Sequence, residues 1–190
     1  MGKQQTAPDS EEKAILLRLA RNAIQGALTG TSIKQHTNYK GWLSTRQGAF
    51  VSIHKKSGEL RGCIGRFRSR SPLYRLVEEL AITAATRDHR FAPIKKEELD
   101  DIVIELSILS KLQRIQSLDE IDTCRHGIYI IRDEKSGTYL PQVLRENDWD
   151  AETAVRKCSH DKAGLGYEGW REAELYVYTS LIISEMSDSQ

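Results

Sequence analysis

The residues best equipped for chemistry in this chain lie in one short run, Leu60-Arg61-Gly62-Cys63-Ile64-Gly65. If the run is extended, its thiol and its guanidinium fall on one face, because strand side chains alternate and same-face neighbours stand about 7 Å apart. A cation beside a thiol favours the anionic, nucleophilic form, whereas burial among apolar groups leaves the thiol inert. Cys63 is therefore read as a nucleophile or thiol ligand. The competing reading is a small buried hydrophobe, since free cysteine is among the most buried residue types. Gly62 and Gly65 weaken a strand; close approach of another backbone, a lobe or a ligand explains them, and so does a bulge.

A thiol nucleophile needs a base within hydrogen-bond reach, about 3 Å between heavy atoms. His126 is the first candidate and His89 the second, each set against a surface or hydrogen-bonded structural histidine. Glu105 is the one carboxylate in an apolar run and suits a proton acceptor or an orienter of histidine, or else a salt bridge to Arg61 or Arg90. Arg61 and Arg90 themselves suit the clamping of a carboxylate or phosphate through paired donors, and equally the bridging of loops. Cys124-x-His126 and Cys158-x-His160 offer two thiols and two imidazoles, as tetrahedral zinc would need, but the spacing is unfamiliar and no metal ligand is assigned. Trp149, Trp170, Tyr176 and Tyr178 read as core ahead of base-stacking rings. Lys55-Lys56 and Lys95-Lys96 read as solvated surface.

The elements that must position these groups follow from period and punctuation. Asp9 with Glu12 three residues on opens a helix carrying Leu16, Ala20, Ala23 and Ala27 at helical spacing, and Gly30 stops it. Gly48 to Lys55 and Leu60 to Gly65, turning at Ser57-Gly58, form a hairpin. Ser71 as cap and Pro72 at the first helical position start a second helix with Leu73, Leu76, Val77, Leu80 and Ala84 on one face, ending near Arg87. Asp88-His89-Arg90-Phe91-Ala92-Pro93 is a loop, and Ile102 to Leu109 a strand. His126 to Arg132 and Gly137 to Leu140 make another hairpin, Ala151 to His160 a helix, and Leu175 to Ile183 a closing β segment. Because strands and helices do not alternate strictly, antiparallel sheets with packed helices are expected in an α+β protein.

Composition bounds the partners. The chain has 190 residues, 28 basic against 27 acidic, and a formal charge of +1, so it carries no large uniform field for nucleic acid or anionic lipid. Protein or small-molecule partners therefore come ahead of nucleic acid. No apolar run approaches the roughly 20 residues of a membrane helix. Met1 to Ser10 lacks the hydrophobic stretch of a secretory signal, so a cytoplasmic protein with no membrane contact is expected. Three cysteines are an odd, sparse set, and free thiols follow.

The hexapeptide at residues 60–65 also resembles the hallmark of the AMMECR-one domain family, the AmmeMemoRadiSam system protein A-like proteins. The resemblance continues through Ala84-Ala85-Thr86-Arg87-Asp88, Arg90-Phe91, Ile104-Glu105-Leu106-Ser107 and His126-Gly127. It then runs through Leu140-Pro141-Gln142-Val143, Trp149-Asp150 and Lys162-Ala163-Gly164-Leu165. It implies two subdomains, each an antiparallel sheet with packed helices, with a cleft between them that the signature faces. The boundaries are placed at 1–121 with 171–190 for the larger subdomain, holding both termini, and at 122–170 for the smaller. The family carries no settled activity, and its cofactors are unknown. Its context implies Memo-like and radical S-adenosylmethionine proteins as partners. Two departures stand out: Asp88-His89-Arg90-Phe91 replaces the usual Asp-Pro-Arg-Phe, and His160 stands where a cysteine is often found.

Two functions of different class emerge. The first is a cysteine-centred enzyme, or component of one, acting in the interlobe cleft, with Cys63, His126 and Glu105 catalytic. Arg61, Gly62, Gly65, Arg90 and Gln142 would bind the ligand. The second is a non-catalytic adaptor that clamps a protein or nucleic-acid partner.

Overall fold

The structure, a computed structural model, describes residues 7–31 and 38–186. The chain divides into two compact units, Met1–Ile108 with Leu181–Gln190, and Leu109–Ser180. Each holds a four-stranded antiparallel sheet with helices packed on it, so the α+β architecture of two subdomains is present.

Unit 1 begins with α1 (Ser10–Thr29), whose start is fixed by a reciprocal cap. The Asp9 side chain accepts from the Glu12 N–H at 2.8 Å, and Glu12 accepts from the Asp9 N–H at 3.3 Å. Gly30, at φ 69°, ends the helix in the left-handed conformation. The buried stripe is Leu16, Leu19, Ala20 and Ile24. Ala27, expected on that stripe, is exposed in the last turn of the helix.

The hairpin follows as β1 (Ala49–Lys55) and β2 (Leu60–Arg66), then α2 (Leu73–Thr86), β3 (Ile102–Leu109) and, at the chain's end, β8 (Ser180–Ser184). The sheet order is β2-β1-β3-β8, with β1 antiparallel to both neighbours. One sheet face carries Val51, Ile53, Ile104 and Leu106, all fully buried with Leu73, Leu76, Val77 and Leu80 of α2. Pro72 caps α2 without a side-chain bond, so this helix starts one residue later than its Ser-Pro signal suggests.

Unit 2 is built on β4 (Gln113–Ile115), β5 (Gly127–Arg132), β6 (Lys135–Tyr139) and β7 (Glu174–Tyr178), in the order β4-β7-β5-β6. Segments 109–121 and 171–180 belong here because β4 and β7 hydrogen bond into this sheet. The β-prone run expected to close the chain as one segment breaks at Thr179, and its halves join different sheets. Asp133, at φ 55°, turns the β5–β6 hairpin. α3 (Pro141–Glu146) and α4 (Ala151–Lys157) pack on the sheet, and α4 continues as a π-helical turn, Cys158–Lys162. In that turn the Ala163 N–H reaches back five residues to the Cys158 carbonyl at 3.0 Å. Ile128, Ile130, Leu144, Val155 and Cys158 form the core of the unit.

Candidate functional site

Cys63 sits on β2, an edge strand of the unit 1 sheet. A bare edge exposes unpaired backbone groups that native folds cover. Here the loop leaving α2 does so at one residue: the Cys63 N–H donates to Asp88 Oδ2 at 2.8 Å, and the Cys63 carbonyl accepts from Arg90 Nη2 at 2.8 Å. Asp88 also accepts from Arg90 Nε at 3.0 Å, from Nη2 at 2.8 Å and from the Arg90 backbone N–H at 3.2 Å. An aspartate closing onto the amide two residues on is a common local turn, and this one holds a carboxylate and a guanidinium in a fixed relation.

The Asp88 side chain is 1% exposed and that of Arg90 50%. Hydrogen bonds from the Arg90 side chain hold the Asp88 carboxyl well below the usual carboxylate range; burial opposes them and the Cys63 amide assists. Arg90 is raised in turn, first by its hydrogen bonds to Asp88, then, with burial opposing, by the charges of Asp88 and of the Cys63 thiol. The guanidinium held against Cys63 therefore belongs to Arg90. Its Nη1 makes no hydrogen bond among the described residues and remains available to a ligand.

Arg61 is occupied elsewhere. The pairing register moves from Ile53 opposite Gly62 to His54 opposite Leu60, which leaves Arg61 as the extra residue of a bulge. The even alternation expected along the hexapeptide breaks there. Its guanidinium, 13% exposed, donates to Glu98 at 2.8 and 3.1 Å and to the carbonyls of Ala92 at 2.6 Å and Pro93 at 3.2 Å. This bonding holds Glu98 below its usual range. Arg61 thus ties β2 to the loop that carries Arg90.

The two glycines answer to packing. A Cβ on Gly62 would collide with the Ala84 carbonyl of α2, and one on Gly65 with the ring of Phe50. Gly62 lets the helix lie against the strand, which places Asp88, four residues beyond Ala84, at the sheet edge.

On the opposite sheet face, Cys63 stands across from Ser52, and Ser52 across from Glu105. The Ser52 hydroxyl donates to Cys63 Sγ at 3.2 Å. Cys63 is half-buried, Ser52 is 8% exposed, and half-buried Glu105 has neither a hydrogen bond nor an ion pair among the described residues. Arg61 and Arg90, its anticipated salt-bridge partners, pair with Glu98 and Asp88 instead. His54 lies on the same face, two residues along β1 from Ser52.

Thus Cys63, Gly62, Gly65, Arg61, Arg90 and Glu105 all lie in unit 1, while His126 and Gln142 lie in unit 2. His126 Nδ1 accepts from the Asp122 N–H at 3.1 Å, a hydrogen bond within the turn that leads into β5. His89 is exposed in the turn between Asp88 and Arg90. Gln142, on α3, holds its side-chain oxygen buried without a partner among the described residues. Sequence reasoning missed Ser52, His54 and Asp88. Phe50-Val51-Ser52-Ile53-His54 did signal the first two, since Val51 and Ile53 take the core face and leave Ser52 and His54 on the other.

The remaining thiols are unlike Cys63. Cys124 is exposed, and Cys158 is sealed in the unit 2 core, where burial pushes its thiol up to about 12. His160 stacks on Tyr167 at 4.1 Å between ring centres and bonds Asp161 at 2.7 Å. Among the described residues no group of three or more His, Cys, Asp or Glu is disposed to hold a metal. No helix of the described residues is long and apolar enough to cross a membrane.

Comparison with known proteins gives a consistent result. The profile of the family described as AMMECR1 matches residues 17–183. A protein of Nanoarchaeum equitans is 34% identical over 179 residues, 90% of this chain and 98% of that one. A protein of Methanopyrus kandleri is 36% identical over 188 residues, 92% of this chain and 89% of that one. The crystal structure of an uncharacterized protein from Pyrococcus horikoshii matches with a TM-score of 0.84 at 32% identity, covering 94% of this chain and 93% of that chain.

Proposed function

Because this chain belongs to the AMMECR1 family, whose relatives bring no assigned reaction with them, we propose from the site itself a cysteine-centred enzyme, or a component of one, with Cys63 as nucleophile. The observation that carries this reading is the setting of a half-buried sulfur: the Ser52 hydroxyl donates to it at 3.2 Å, and the Arg90 guanidinium, anchored by Asp88, is held on the Cys63 carbonyl at 2.8 Å. Hydrogen-bond donors and a nearby cation stabilise a thiolate, the form that attacks. In this scheme Ser52 donates to the sulfur, Arg90 holds an anionic group of the ligand, Asp88 positions both Arg90 and the Cys63 backbone, and Glu105 accepts a proton. The alternative, a non-catalytic adaptor, makes no demand on a reactive thiol at this position. A cytoplasmic setting, where thiols stay reduced, and partners of the Memo-like and radical S-adenosylmethionine kind belong to the same proposal.

The test is alkylation of the folded, reduced Cys124→Ser variant by iodoacetamide at about pH 8, with the modified residue located by peptide mass spectrometry. One adduct per chain, on Cys63, is the expected result. A Cys63 that stays unmodified until the protein is unfolded ends the nucleophile reading.

A further inference from the structure

The donor arrangement around Cys63 restricts the bond that its sulfur can attack. Attack on a carbonyl builds a tetrahedral oxyanion, and thiol and serine acyl transferases commonly stabilise it with the nucleophile's own amide N–H. That amide is spent here: the Cys63 N–H is bonded to Asp88 Oδ2 at 2.8 Å. Acyl transfer also needs an acid to protonate a leaving amine or alcohol, usually an imidazole in contact with the sulfur. No histidine among the described residues bonds Cys63 Sγ, which accepts from the Ser52 hydroxyl.

The groups that are present suit a different electrophile. Displacement at an O–O bond passes through no tetrahedral carbon and needs no oxyanion hole. It asks for a thiolate, a hydroxyl beside it that can exchange hydrogen bonds with the incoming oxygen, and a cationic donor for the departing oxygen, on which charge develops. Ser52 lies against the sulfur; Arg90 is fixed over the Cys63 carbonyl at 2.8 Å, with Nη1 unspent and half of its side chain in solvent. Asp88, bonded at once to the Arg90 guanidinium and to the Cys63 amide, sets the distance between cation and nucleophile.

Resting on the thiol reading above, we propose that Cys63 reduces hydroperoxides, with Ser52 and Arg90 binding the two peroxide oxygens. The Cys63 sulfur attacks the terminal oxygen of a hydroperoxide; an S–O bond forms as the O–O bond breaks. The electron pair of the broken bond leaves on the second oxygen, to which Arg90 donates a hydrogen bond; that oxygen then takes up the proton that the thiol gave up to Glu105, forming the alcohol or water. Sulfur is oxidised to the sulfenic acid, and the hydroperoxide is reduced to an alcohol, or to water when the substrate is hydrogen peroxide. Two equivalents of a small thiol restore Cys63: the first condenses with the sulfenic acid and releases water, and the second exchanges with that mixed disulfide and frees the Cys63 thiol.

The experiment uses the full chain, reduced, with exposed Cys124 as an internal reference. Hydrogen peroxide, and separately cumene hydroperoxide, is added in the presence of dimedone, and the sulfenic-acid adduct at each cysteine is followed by peptide mass spectrometry. Cys63 is expected to react at least ~100-fold faster than Cys124, the scale on which a positioned donor acts. Ser52→Ala and Arg90→Ala are each expected to lose most of that advantage, and Ser52→Thr, which keeps the hydroxyl, to retain it. The serine pair keeps the test decisive if Arg90→Ala fails to fold. If iodoacetamide modifies Cys63 but peroxide oxidises it no faster than Cys124, the hydroperoxide assignment falls and the thiol reading stands. If neither reagent modifies it, both fall. If Ser52→Ala reacts like the parent protein, the geometric argument is wrong.

Discussion

Replacing Asp88 by asparagine removes the charge that joins Arg90 to Cys63 while keeping the shape of the side chain. Asp88 accepts one hydrogen bond from the Cys63 amide and three from Arg90, and its side chain is 1% exposed. Hydrogen bonds to charged groups contribute about 1.5–3 kcal/mol each, net of hydration. They do not add in full here, because Arg90 is half exposed and regains water when released. Asparagine also keeps one acceptor oxygen, so the expected loss for Asp88→Asn is about 2–4 kcal/mol. At about 2–4 °C per kcal/mol for a chain of this size, the melting temperature falls by about 4–16 °C.

The pH dependence makes the test specific to the charge. Asp88 has a folded pKa below its unfolded value, so its contribution is complete above the unfolded value, about 3.9, and is lost as pH falls through it toward the folded one. Urea unfolding of both proteins, read by circular dichroism and by hydrogen exchange of peptides from β2, is therefore expected to show a constant gap from about pH 7 to 5 that narrows below about pH 4. A gap under about 0.5 kcal/mol at neutral pH, or one that does not narrow in acid, refutes the reasoning.

Three further outcomes are expected. Gly62→Ala drives a methyl group against the Ala84 carbonyl, which cannot swing aside, and is expected to cost about 1–3 kcal/mol in thermal unfolding. Arg61→Ala is expected to lower stability by about 2–4 kcal/mol while leaving Cys63 open to alkylation, whereas Arg90→Ala slows alkylation, as rates under iodoacetamide will show. Cys158, whose thiol burial pushes up to about 12, is expected to resist iodoacetamide in the folded protein at about pH 8 and to react in urea, by peptide mass spectrometry.

Much of the fold was legible in local pattern. The Asp9–Glu12 cap, the β1–β2 hairpin, the apolar face of α2 and the whole of β3 depend on neighbours within a few residues, and the period of the side chains reports them. The one-residue bulge at Arg61 was not legible, because alternation presumes an unbroken register and a bulge is defined against the partner strand. The break at Thr179 escaped for a similar reason: Leu175 to Ile183 is uniformly β-prone, and only pairing sends its two halves to different sheets.

The site divides along the same line. Residue types and spacing singled out Cys63, Arg61, Arg90 and Glu105, because a thiol, a guanidinium or a lone carboxylate in an apolar run is conspicuous wherever it stands. Which arginine reaches Cys63 was settled by tertiary structure alone: Glu98 and two carbonyls take up Arg61, and Asp88 turns Arg90 onto the Cys63 carbonyl. Ser52 and Asp88, 11 and 25 residues from Cys63, became its neighbours through strand pairing and a helix exit. Sequence fixes what each group can do; the distance between groups far apart in the chain, on which every electrostatic and hydrogen-bond energy here depends, exists only once the chain is folded.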